Sequence, residues 1–287
     1  MPIIEVNGAR VAYAETGSGE TVVLLHATAG SGAQWRALTE ILRSDFRVLA
    51  PDLYGYGETD PWPGHAAFAL AEEAALVDAV LRLRRGPIHF VGHSYGAAVA
   101  LRFALEQPER VRSMVLIEPV ALHLLRQGGP VPADGQLLAE VMEVAALVSD
   151  GVASGDYRAA MGRFVDYWSG AGAWLRMKPE LQGALARRIP QVALDFWAAT
   201  TEPTPRSAYR RIAAPTLVLR GGRSPRPARR IAELVAGSLP AGRLETVEGA
   251  GHMLPLTHAE IVNAAIAEHL MPGMAARRPL AAVSTSR

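Results

Sequence analysis

Residues 87–105 read Pro-Ile-His-Phe-Val-Gly-His-Ser-Tyr-Gly-Ala-Ala-Val-Ala-Leu-Arg-Phe-Ala-Leu. The largely apolar run Pro87 to Val91 predicts a strand, and Ala97 to Leu105 predicts a helix. Between them lies Gly92-His93-Ser94-Tyr95-Gly96, a Gly-x-Ser-x-Gly turn. A tight strand-to-helix turn forces the backbone at its apex into a strained conformation, so only residues without bulk can flank it. Gly92 and Gly96 meet that need. Ser94 would then stand above the edge of the sheet, where a serine can act as a nucleophile. The Tyr95 N–H, in the first turn of the helix, would face any oxyanion formed beside it.

Working outward on both sides, the same alternation recurs. Ile3 to Val6 and Arg10 to Glu15 flank Asn7-Gly8, a pair that favours the tight turn of a β-hairpin. Thr21 to Leu25 has the composition of a strand buried on both faces. A Gly-rich loop, an amphipathic helix near Gln34 to Leu42 and a second buried strand, Arg47 to Ala50, follow it. A helix near Ala67 to Leu83 precedes the Ser94 turn, and strand Ser113 to Ile117 follows its helix. Such alternation predicts a mostly parallel sheet covered on both faces.

The alternation stops after Val120. Up to about Pro205 there is no β-branched run, and helical apolar spacing is found in Leu137 to Val148 and Tyr157 to Trp168. Strand Thr216 to Arg220, helix Pro227 to Val235, strand Leu244 to Val247 and helix Ala259 to Leu270 then complete the core. The chain therefore divides into a sheet domain, residues 1–119 and 206–271, an inserted helical cap, residues 120–205, and a flexible tail, residues 272–287, rich in Ala, Arg and Ser.

Composition narrows the function classes. With 287 residues, 49% of them hydrophobic, the chain can bury a sizeable core. A net charge of +1 with both signs intermixed provides no field for nucleic acid or an acidic membrane surface. The partner expected is a small, uncharged or weakly charged molecule; a homodimer is compatible with the same composition. There is no cysteine, which excludes disulfides, thiolate nucleophiles and Cys-ligated metals. Met1 to Arg10 does not read as a signal peptide, and no window approaches the ~18 apolar residues of a membrane span, so a cytoplasmic location is expected.

A serine hydroxyl is a poor nucleophile without a base, and the base needs a group that fixes its tautomer and stabilises its cation. Of eight histidines, His252 lies in Gly249-Ala250-Gly251-His252, directly after a predicted strand, where glycines let a loop carry the imidazole to the edge that holds Ser94. His26 and His93 suit structural hydrogen bonds better, and Asp52, in Asp-x-x-Gly-x-Gly, suits a loop anchor.

Taken in order, the His26-Ala27-Thr28 loop, the Asp52 to Gly57 segment, the Ser94 turn and the Gly-x-Gly-His252 loop resemble the α/β-hydrolase family over residues 3–119 and 206–270. The resemblance implies an α/β fold with an eight-stranded, mostly parallel sheet flanked by helices, and a capped site at the carboxyl ends of the strands. It implies Ser94 as nucleophile, His252 as general base, and an oxyanion hole from the Thr28 and Tyr95 amides. Two departures stand out. The family's usual His-Gly is here His26-Ala27, where a positive φ would be less comfortable. The aspartate usual after the seventh strand is absent from Arg220-Gly-Gly-Arg-Ser-Pro225. Glu118 is the substitute acid: it ends the sixth strand, and Pro119 is expected to hold it extended. Some family members, certain haloalkane dehalogenases among them, resemble this arrangement.

Serine rather than aspartate at the turn disfavours the alkyl-enzyme chemistry of dehalogenases and epoxide hydrolases. The function expected is hydrolysis of a small to medium apolar carboxylic ester through an acyl-enzyme, with no cofactor and no metal. Two alternatives stand beside it: hydrolysis of a carbon–carbon bond in ring-cleavage products, and a slow-turnover ligand-binding protein on the same fold. Among the cap aromatics Phe164, Tyr167, Trp168, Trp174, Phe196 and Trp197, the three tryptophans Trp168, Trp174 and Trp197 are the expected substrate contacts.

Overall fold

A computed structural model describes residues 1–64, 67–84, 86–127 and 133–271. The segment 272–287, expected to be a tail, lies outside the described residues.

The chain opens with β1 (Ile3–Val6) and β2 (Ala9–Thr16), an antiparallel hairpin turning on Asn7 and Gly8, both at positive φ as the Asn-Gly pair requires. Then come β3 (Glu20–Leu25), α1 (Arg36–Leu42), β4 (Phe46–Pro51), α2 (Leu70–Leu81), β5 (Ile88–His93), α3 (Tyr95–Glu106) and β6 (Val111–Ile117). Five helices follow: α4 (His123–Arg126), α5 (Ala133–Ser154), α6 (Tyr157–Ser169), α7 (Pro179–Ala186) and α8 (Ile189–Thr201). Strand β7 (Thr216–Gly221), α9 (Arg226–Ala236), β8 (Gly242–Val247), α10 (Leu254–Thr257) and α11 (Ala259–Leu270) close the fold.

The eight strands form one sheet in the order β1-β2-β4-β3-β5-β6-β7-β8. Pairings from β4–β3 onward are parallel; β1–β2 and β2–β4 are antiparallel. The two-residue period of a strand divides the core between the two faces. On β3, Val22 and Leu24 pack with Leu38 and Leu42 of α1 and with Val262 and Ile266 of α11. Val23 and Leu25 point the other way, into the cluster that holds Val77 of α2, Phe103 of α3 and Ile231 of α9. Both faces of the central strands are thus dry, which is why these strands read as unbroken apolar runs.

The parallel strands all deliver their carboxyl ends to one edge. There β3, β5, β6 and β8 pass into the loops that carry Thr28, Ser94, Glu118 and His252. Among the described residues, no helix is long and apolar enough to cross a membrane.

Candidate active site

Ser94 is the N-cap of α3, with φ 55° and ψ −114°, one of four described non-glycine residues at positive φ. The flanking glycines are explained by close backbone contacts. A Cβ on Gly92 would stand 2.6 Å from the Ala97 Cα, and one on Gly96 would stand 2.4 Å from the Leu25 carbonyl oxygen. Those neighbours are main chain and cannot turn aside. The Ser94 N–H donates to the Ile117 carbonyl at 2.8 Å, tying the turn to the end of β6.

The three residues expected to act together are in direct contact. Ser94 Oγ lies 2.9 Å from His252 Nε2, and His252 Nδ1 lies 2.9 Å from Glu118 Oε2. Since the glutamate oxygen accepts, Nδ1 carries the proton and Nε2 is left with its lone pair toward the serine hydroxyl. All three side chains are buried. Trp168 covers the imidazole from the helical side, its ring 4.4 Å from that of His252.

Glu118 does not have the extended backbone expected of a residue before proline. Its φ is 51°, held by the Glu118 N–H donating to the Leu219 carbonyl at 2.8 Å while its side chain is fixed at both oxygens. Oε1 accepts from the Gly221 N–H at 2.6 Å and from the Ser224 hydroxyl at 2.8 Å, which leaves Oε2 for His252. The loop after β7 thus lacks the family's aspartate and supplies two donors that orient the glutamate instead. The signal for Ser224 in the sequence is its place on the acid-free loop.

Thr28 and Tyr95 both line the cavity at Ser94. Tyr95 is the first residue of α3, so its N–H has no intrahelical acceptor, and the Thr28 N–H takes no backbone acceptor among the described residues. The positive φ in this loop falls on Ala29, at 61°, and not on Ala27. Arg188 stabilises that turn by donating to the Ala29 carbonyl at 2.5 Å, and Thr28 Oγ1 donates to Asp195 at 2.7 Å. Both holding groups come from the segment after α7, inside the expected helical cap but outside its two stretches of helical apolar spacing.

His26 and His93 are structural, as expected. His26 donates through Nδ1 to the Ala27 carbonyl and accepts the Leu53 N–H at Nε2; burial lowers its pKa to about 4. His93 accepts from Gln34 and donates through Nε2 to the His252 carbonyl at 2.9 Å, which fixes the backbone of His252. Burial, followed by the neighbouring His252 charge, lowers the His93 pKa to about 3. Asp52 anchors its loop by accepting from the Gly32 and Glu58 amides.

Two lobes of a cavity meet at Ser94. The larger, about 310 Å³, is lined by Met161, Phe164, Val165, Met177, Leu185 and Leu256 with His252 at one wall. The smaller, about 20 Å³, lies beside Thr28, Tyr95 and Asp195, with Val192 and Phe196 opposite, and His252 does not border it. Of the three tryptophans expected at the substrate, Trp168 borders both lobes. Trp174 does not border either; it packs on Gly162 and under the Arg158 guanidinium within the helical layer. Trp197 is 56% exposed, on the outer side of α8. Helical spacing brought these side chains to packing and to solvent. Phe164 and Phe196 supply the aromatic lining in their place, 6.0 Å apart edge to face.

A parallel sheet with a serine on the turn after β5 and a histidine on the loop after β8 is the arrangement of one class of α/β proteins. The chain belongs to the Alpha/beta hydrolase family, whose profile matches residues 22–265. Epoxide hydrolase 3 of Siraitia grosvenorii is 36% identical over 114 residues, 39% of this chain and 36% of its own length. The chain spans about a third of the length of the curated relatives that it matches, 33% and 36% for two of them. A hydrolase from Pseudomonas aeruginosa is similar in structure at 25% identity, with a TM-score of 0.71 over 94% of this chain and 97% of that one. An esterase from Thermogutta terrifontis, at 23% identity, shares the fold with a TM-score of 0.70 over 93% of this chain and 96% of its own.

Proposed function

We propose that the protein is a serine hydrolase that cleaves carboxylic esters through an acyl-enzyme. The observation that carries this reading is the continuous series of hydrogen bonds from the Ser94 hydroxyl through His252 to Glu118. His252 Nε2 takes the proton of Ser94 as Oγ attacks the ester carbonyl. The resulting oxyanion lies against the Thr28 and Tyr95 amides, where loss of one such donor costs roughly 3 to 4 kcal/mol. The imidazolium, steadied by Glu118, gives its proton to the departing alkoxide oxygen. Water, deprotonated by the same imidazole, then attacks the acyl carbon and releases the acid.

The name of the Siraitia relative does not carry over. Attack by a serine hydroxyl on an epoxide would leave an ether, with no carbonyl carbon for water to attack, so that reaction would stop after one turnover.

The two lobes support a placement for the halves of the ester. A leaving oxygen must reach His252 for its proton. Of the two lobes that Ser94 lines, His252 borders only the larger, and the further recess that it borders, beside Tyr167, Arg223 and Pro225, is not lined by Ser94, so the apolar alcohol is placed in the larger lobe. The acyl group lies in the smaller lobe, whose volume is that of about one or two water-sized groups. Short acyl chains are therefore preferred: p-nitrophenyl acetate should be turned over with higher kcat/KM than the hexanoate. Ser94→Ala and Glu118→Gln should each lower acetate turnover by about a hundredfold or more, with folding verified by circular dichroism. Full activity in either variant would reject the assigned role.

A further inference from the structure

Asp195, on α8, holds Thr28 through Oδ2, and ester hydrolysis as described makes no use of the rest of its carboxylate. It is 3% exposed and lines the small lobe beside Ser94, with apolar Val192, Phe196 and Ala199 around it. Oδ2 accepts from the Thr28 hydroxyl and the Tyr56 hydroxyl, each at 2.7 Å, and Oδ1 accepts from Gln191 Nε2 at 3.1 Å. A carboxylate offers about four acceptor positions, so one at Oδ1 has no protein donor. Burial makes the group costly: its pKa is raised to about 7 in spite of the three donors. A lobe that had only to hold an alkyl chain needs no open acceptor position on its wall. An acceptor on the wall of a small lobe instead suits an acyl group that brings a donor of its own.

We propose that Asp195 is a specificity-determining residue that accepts a hydrogen bond from a hydroxyl on the acyl group, making the substrate class an ester between a short hydroxy acid and an apolar alcohol. This assignment rests on the ester reading and on the placement of the acyl group in the small lobe. A neutral hydroxyl fits better than an ammonium group, because the lining is mostly apolar and offers little to replace the water an ion would lose.

The test compares benzyl hydroxyacetate, benzyl methoxyacetate and benzyl acetate at about pH 8, where a carboxyl of pKa about 7 is mostly ionised. Each kcat/KM is divided by the ester's own hydroxide-catalysed rate constant. In the wild-type protein the corrected value for hydroxyacetate should exceed both others by about tenfold or more, since only it brings a donor to the free acceptor position. In Asp195→Leu the ratio should fall to within about threefold. A role confined to anchoring Thr28 would lower all three esters together and leave the ratio intact, and that result would overturn the assignment. Wild-type turnover of all three esters at similar corrected rates would also overturn it, with the ester reading still standing. Absence of Ser94-dependent turnover of any of them would remove both. The wild-type ratio decides the matter even if the variant does not fold.

Discussion

Ser94 and Glu118 are both non-glycine residues at positive φ, at 55° and 51°, and both belong to the proposed catalytic series. Such backbone costs on the order of 1–3 kcal/mol and persists only where the surroundings determine it. At Ser94 they do so through Gly92 and Gly96, and that feature is legible in the sequence because glycine at both flanks has few other uses. At Glu118 they do so through Leu219, Gly221 and Ser224, which are about a hundred residues distant, so Pro119 alone led toward an extended backbone. Ser224→Ala should lower kcat by roughly tenfold, the effect of about 1–1.5 kcal/mol from one hydrogen bond to a charged acceptor, with KM little changed. Steady-state kinetics on a short-chain ester checks this; a variant with wild-type kcat would mean that the Gly221 amide suffices to orient Glu118.

At the scale of elements, β3, β5, β6 and β7 were readable because burial on both faces leaves continuous apolar runs, and α11 because its apolar residues repeat at helical spacing. Helix α8 was not. Pro190 stands in its first turn, and Gln191, Asp195 and Thr200 are buried polar residues on what a hydrophobicity pattern would take for the solvent side. The polar groups that hold the Thr28 loop and line the small lobe were hidden with it. The elbow gives the sharper stability prediction. Gly96→Ala would drive a Cβ to 2.4 Å from one main-chain oxygen and 2.6 Å from another, so the helix must move off the sheet. A loss of at least about 2 kcal/mol is expected, which for a chain of this size lowers Tm by roughly 4–8 °C. Calorimetry that found an unchanged Tm would mean the elbow relaxes freely.

For the whole molecule, acid stability follows from groups buried in the wrong charge state for the unfolded chain. His26, His93 and His123 are held neutral by burial, with pKa values lowered to about 4, 3 and 4. Their contribution is complete above about pH 6.5, the unfolded value, and is lost as pH falls toward about 4. Asp195 acts in the opposite direction. Raised to about 7, it keeps a proton in the folded state that the unfolded chain releases above about 3.9, so its contribution declines as pH rises through that window. Removing it should therefore make acid loss steeper. Between about pH 5 and 7, Asp195→Asn should lose stability on acidification faster than wild type by on the order of 1 kcal/mol per pH unit, read from urea midpoints. Parallel curves would show that Asp195 titrates as an ordinary carboxyl.

Ser94 is expected to carry the acyl group during turnover. Acid quenching of the protein while it hydrolyses p-nitrophenyl acetate, followed by peptide mass analysis, reads this directly. One added acetyl group is expected on the peptide containing Ser94, present during turnover, lost when substrate is exhausted and absent from Ser94→Ala. Sustained turnover with the acetyl group on another residue, or on none, would contradict it.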